Sequence, residues 1–227
     1  MNLSAMKKLF LLLFFSISSM CFADKIKHVI SLGPNCIPAG FLSHNGLRYE
    51  AFPLDWMMTH TVNGIHQALE EDFLYLFDPN YLVFHHGGVL VNKRYNFEMN
   101  HLFDNESNEF RDRLNAINFI NFLDPVHETF NRRIQRLLNT LNGSDQVFFF
   151  RLAGGETDTD EVILLRNLLI SKYPLLDFVI IFCSMAENPY SDESNIQFFQ
   201  IEHAGNLWQN QISHPQWTKI LKILNLI

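Results

Sequence analysis

Residues 26–36, Ile-Lys-His-Val-Ile-Ser-Leu-Gly-Pro-Asn-Cys, read as a buried strand that runs into a tight turn and delivers a thiol. Val29, Ile30 and Leu32 supply the apolar run. Gly33-Pro34 ends it, because proline brings no N–H to a sheet ladder and glycine accepts turn backbone at no steric cost. A helix follows from Cys36 to Asn45, where Asn45-Gly46 is a stop signal. Pro38 fits its first turn, since the missing N–H has no intrahelical partner there. Strand, short turn and helix in that order form the repeating unit of a parallel sheet.

The rest of the chain repeats the unit. Gln146–Leu152 (QVFFFRL) and Leu176–Cys183 are further apolar runs of strand length, and Asn195–Glu202 is expected as a fourth strand. Helical patterns cover Val62–Leu76, Pro125–Leu141, Asp160–Tyr173 and Pro215–Leu226. Residues 81–103 switch to short β-prone runs around Gly87-Gly88, a hairpin signal. The expected fold class is therefore α/β: a three-layer, largely parallel sheet with helices on both faces and a β-hairpin-containing insertion near residues 47–110. Ligands gather at the carboxyl ends of such strands. Cys36, Arg151 and Cys183 all fall there.

Residues 1–23 are expected to be a signal peptide: Lys7 and Lys8 precede an apolar stretch that closes on Cys21-Phe22-Ala23. The stretch is shorter than the roughly 20 residues a bilayer span needs, so export to the periplasm or beyond, with no stable membrane span, is the expectation. Residues 24–227 then form a single domain. With 48% hydrophobic and 18% charged residues, among them 22 phenylalanines, the chain has ample material for a core. Seventeen basic residues face 24 acidic ones, a net charge of −7. That balance argues against nucleic acid and anionic membranes as partners. No cofactor motif is present: GGETDTDE after Arg151 lacks the Gly-Lys-Ser/Thr ending of a phosphate loop. Cysteine is too sparse for a disulfide framework or a Cys-based metal site.

Cys36 is the candidate nucleophile. At a helix start, unpaired backbone N–H groups stabilise a thiolate and lower the thiol pKa. Those groups, with the Asn35 amide, would also hold an oxyanion beside the sulfur. Two other readings of Cys36 stand beside this one: a structural thiol behind the sheet, or a disulfide with Cys183. A cysteine nucleophile needs a base, and ten histidines offer many. His101 lies past the hairpin, His86 precedes Gly87-Gly88, and His214 begins an SHPQW segment. Asp55, between Leu54 and Trp56, either orients a histidine or holds the FPLDWM turn. Arg151 is a candidate for substrate binding.

SLGPNC, Pro38-Ala39 and GLRYEAFPLDWMM resemble the opening of a largely bacterial domain family labelled as papain-like cysteine peptidases. FEMNHLFD around His101, NRRIQRLL and VFFFRL extend the likeness across most of residues 24–227. The resemblance implies a thiol-dependent hydrolase with Cys36 as nucleophile, His101 as base and Asp55 as third member, acting on a peptide, isopeptide or ester. It also implies an α+β papain-like fold as the alternative to the layered sheet. Two further functions fit the strand-turn-helix placement. One is a flavodoxin-like lipase or esterase using His214; the other is a non-enzymatic site for a small ligand or glycan, with Asn35, Asp55 and Arg151 binding polar groups.

Overall fold

A computed structural model describes residues 26–85, 89–102, 118–153, 158–184, 194–202 and 208–227. The expected leader, His86 and the Gly87-Gly88 turn lie outside these residues. The first half of the chain forms β1 (Lys27–Ser31), α1 (Ile37–His44), β2 (Met58–Thr59), α2 (Val62–Glu70), β3 (Leu82–His85), β4 (Val89–Asn92) and β5 (Phe97–Met99). The second half forms α3 (Asp124–Leu141), β6 (Gln146–Leu152), α4 (Asp158–Lys172), β7 (Asp177–Ser184), β8 (Ile196–Gln200), α5 (Trp208–Ile212) and α6 (Pro215–Ile223).

β1, β6, β7 and β8 pair in that order, all parallel, with Ser31 opposite Phe150 and Phe150 opposite Ile181. β6 is central and buried on both faces, which is why it reads as an unbroken apolar run. Val29, Phe148, Phe150 and Cys183 face one layer, where Phe41 of α1 stacks on Trp217 of α6 at 4.5 Å. Ile30, Val147, Phe149 and Ile180 face the other layer, packed with α2, α3 and α4. The protein is thus a three-layer α/β fold with a parallel sheet in the middle.

The insertion is larger than a hairpin. β2, β5, β4 and β3 form a second, antiparallel sheet in which β3 and β4 are the expected hairpin pair. Leu90, Phe97 and Met99 turn inward and join the core on the α2–α3–α4 side. Gly64 of α2 presses on the turn before β5, since a Cβ there would meet the Tyr95 carbonyl oxygen at 2.0 Å. α2 stops at Glu70 instead of the expected Leu76, because Asp72 and Phe73 take left-handed backbone. Tertiary partners hold that early end. Arg94 pairs with Glu71 across the Tyr75 and Tyr81 rings, and Tyr95 donates its hydroxyl proton to Glu71.

Among the described residues, no helix is long and apolar enough to cross a membrane.

Candidate functional site

The turn after β1 is tied down at five points. Leu32 N–H donates to the Phe150 carbonyl at 2.8 Å, and Leu152 N–H donates to the Gly33 carbonyl at 3.1 Å, so β6 grips the turn from below. Thr59 of β2 grips it from the side: its N–H donates to the Pro34 carbonyl at 2.8 Å and its hydroxyl to the Leu32 carbonyl at 2.8 Å. Arg151 Nη1 donates to the same Leu32 carbonyl at 3.0 Å. Position 33 must be glycine on two counts. Its φ is +84°, and a Cβ would sit 2.1 Å from Thr59 Oγ1.

Cys36 caps the start of α1 as a free, half-buried thiol. A lowered thiol pKa is expected from that placement, and the structure reverses the expectation. Burial pushes the thiol above its ordinary value, opposed only by a hydrogen bond from its own backbone N–H. The reason is local. Ile37 N–H is taken by Asn35 Oδ1 at 2.9 Å, and Pro38 has no N–H to offer. Fewer donors are left at this helix start for a thiolate, and desolvation outweighs the Cys36 backbone N–H.

The disulfide reading is settled as well. Cys36 and Cys183 are both free, and β6 separates the strands that lead to them. Cys183 is 1% exposed in the core beneath α1 and α6, and burial pushes its thiol far up.

Arg151, expected beside substrate, is turned inward. Its side chain is 0% exposed; Nη1 also donates to the carbonyl and hydroxyl oxygens of Thr59, while Nε and Nη2 donate to Asp158 Oδ2 at 3.2 and 2.8 Å. A guanidinium this buried must find internal partners, and these commit it to holding the turn. Asp158 and Thr59 are the residues that sequence reasoning missed. Asp158 stands in the first turn of α4, inside the acidic GGETDTDE run, which was the one available signal.

Asp55, 2% exposed, serves its own turn. Its Oδ2 accepts from Arg48 Nε at 2.8 Å and from Phe52 N–H at 3.0 Å. Burial raises its carboxyl above the usual range, with Arg48 pulling the other way. Arg48 in turn lies over the Trp56 ring at 5.6 Å, and the His101 ring meets the Trp56 ring edge-on with centroids 6.1 Å apart. His101 is exposed, two residues beyond β5. The structure therefore gathers Arg48, Asp55, Trp56 and His101 on one flank, and Asn35 and Cys36 at the tied turn. Among the described residues, no hydrogen bond joins the Cys36 thiol to a histidine or Asp55 to His101. His60, unremarked in the sequence, pairs with Glu98 at 3.0 Å on the outer face of the second sheet. His214 caps α6 by accepting from Gln216 N–H.

The family model described as "Putative papain-like cysteine peptidase (DUF1796)" matches residues 27–188, well over half of the chain. The chain belongs to that family. The matched region of this papain-like peptidase family contains Asn35, Cys36, Asp55, His101 and Arg151 and stops before β8, so His214 lies outside it. No curated protein and no solved structure matches the chain.

Proposed function

We propose that the protein is an exported thiol-dependent hydrolase of the acyl-transfer type, acting on a peptide, isopeptide or ester, with Cys36 as its nucleophile. The observation that carries this is the placement of Cys36: a free thiol at a helix start, outside the core, on a turn fixed by β6, Thr59 and Arg151. A fixed turn aims the sulfur at a constant position.

Because burial keeps the resting thiol protonated, the reaction starts with a base rather than a preformed thiolate. His101 takes the Cys36 proton as the sulfur attacks the substrate carbonyl, with base and thiol coming within hydrogen-bond reach on substrate binding. The oxyanion is held by the Asn35 amide NH2, whose Oδ1 is already spent on Ile37, and by the Cys36 backbone N–H. Protonated His101 then gives its proton to the leaving amine or alcohol, and water, deprotonated by the same ring, cleaves the thioester. Asp55 and Arg48 support His101 through Trp56; Arg151 keeps the nucleophile turn in place.

The test is hydrolysis of a panel of peptide and ester substrates by the full chain and three variants. Cys36→Ala is expected to abolish turnover, and His101→Gln to lower kcat by about 10²–10⁴-fold. His214→Gln is expected to change little. Esterase activity that survives Cys36→Ala and disappears in His214→Gln would replace this reading with the lipase-like one.

A further inference from the structure

The helix α3 carries Arg132, Arg133 and Arg136, and the segment that follows α1 lays a fourth guanidinium, Arg48, against them. Two contacts set this arrangement. Arg136 donates to the Ala51 carbonyl and pairs with Glu50 at 3.3 Å, and Arg48 pairs with Asp55 at 2.8 Å. Arg133 is left over. It is half-buried, lies over the Phe130 ring at 5.1 Å, and among the described residues has no hydrogen-bond or ion-pair partner. Its surroundings are Asp55, Arg48, Arg132 and Arg136, so three of the four charges it faces repel it.

Four guanidinium groups thus lie near two carboxylates, a local excess of about two positive charges in a chain whose net charge is −7. A solvated basic face of a helix would keep its arginines in water and apart. Here one is drawn partly out of water toward like charge, which is unfavourable until an anion completes the set. A guanidinium's planar fork suits a carboxylate or phosphate group, which can take two parallel N–H bonds from it.

We propose that Arg48, Arg132, Arg133 and Arg136 form a binding site for the oxyanion group of a ligand, a carboxylate or a phosphate. The site shares Arg48 with the flank that supports His101, and its test reads anion binding and requires no catalytic activity.

The experiment follows thermal unfolding of the full chain in inorganic phosphate, in acetate and in chloride at matched ionic strength. Phosphate, acetate or both are expected to raise Tm by about 3 °C over chloride. A response to phosphate alone assigns a phosphoryl group, and a response to acetate assigns a carboxylate. Arg133→Gln is expected to lose that rise while unfolding at the same or a higher temperature in chloride, because it removes a repelled charge. Lys219→Gln, on the opposite face of the sheet, is expected to keep the rise. The proposal is overturned if neither anion exceeds chloride, if Arg133→Gln keeps the rise, or if Lys219→Gln loses it equally.

Discussion

Cys36 and Cys183 belong to the same end of one parallel sheet, and their surroundings differ in almost every respect. Cys183 is part of β7, 1% exposed, with its side chain among Phe150, Ile181 and Leu221. Cys36 stands five residues beyond the end of β1, past Gly33-Pro34, where the chain has left the core and a helix begins. The difference teaches that a strand's carboxyl end does not by itself expose a reactive group. What exposes Cys36 is a turn, and what makes the turn rigid is a buried arginine on the neighbouring strand. Burial raises both thiol pKa values, yet only Cys36 has an approach from solvent.

The strongest way to break this contrast is to remove the arginine. Arg151→Met takes the guanidinium away from the buried Asp158 carboxylate and from the Leu32 and Thr59 oxygens, so it is expected to cost about 3–5 kcal/mol in urea unfolding. In Arg151→Met with Asp158→Leu, much of that loss should return while the turn stays loose. A cost below about 1 kcal/mol for the single variant would mean that the pair does not hold the turn.

A smaller effect separates the thiols by pH. Below the ordinary thiol value of 9.0, both are neutral in the folded and unfolded chains and add no pH dependence. Above it, the unfolded chain releases its thiol protons while the folded chain keeps them. Stability therefore falls as pH rises past 9.0, by up to about 1.4 kcal/mol per pH unit for the buried Cys183 and by less for the half-buried Cys36. Cys183→Ala should flatten the decline more than Cys36→Ala, since Cys183 is the more deeply buried; equal flattening would erase the distinction. The smallest effect is on stability near neutral pH. Cys183→Ala is expected to cost about 1 kcal/mol through the gap it leaves, and Cys36→Ala less.

Much of this was legible in the chain, because the parallel strands announce themselves. QVFFFRL is β6 residue for residue, and the run ending at Ser31 needs both faces covered to make sense. Helices α3, α4 and α6 also lie close to their expected bounds. What stayed hidden depends on contacts between distant residues. α2 ends early because Glu71 finds Arg94 and Tyr95 more than 20 positions away, which no local pattern encodes. Arg151 looked like a ligand-binding residue at a strand end, but Thr59 lies 92 positions from it in sequence. The thiol pKa went the other way for a reason visible only in three dimensions: the fold half-buries the sulfur, and desolvation outweighs the backbone N–H beside it.

The most direct test of the contrast is differential alkylation mapped by mass spectrometry. The folded protein is treated with iodoacetamide from neutral to alkaline pH, then unfolded and treated with a second, heavier label. The account predicts that Cys36 takes the first label, at a rate that climbs as pH rises toward and past 9.0, while Cys183 takes only the second. Cys36 found only with the second label, or Cys183 labelled alongside it in the folded protein, would show that the turn does not set the two thiols apart.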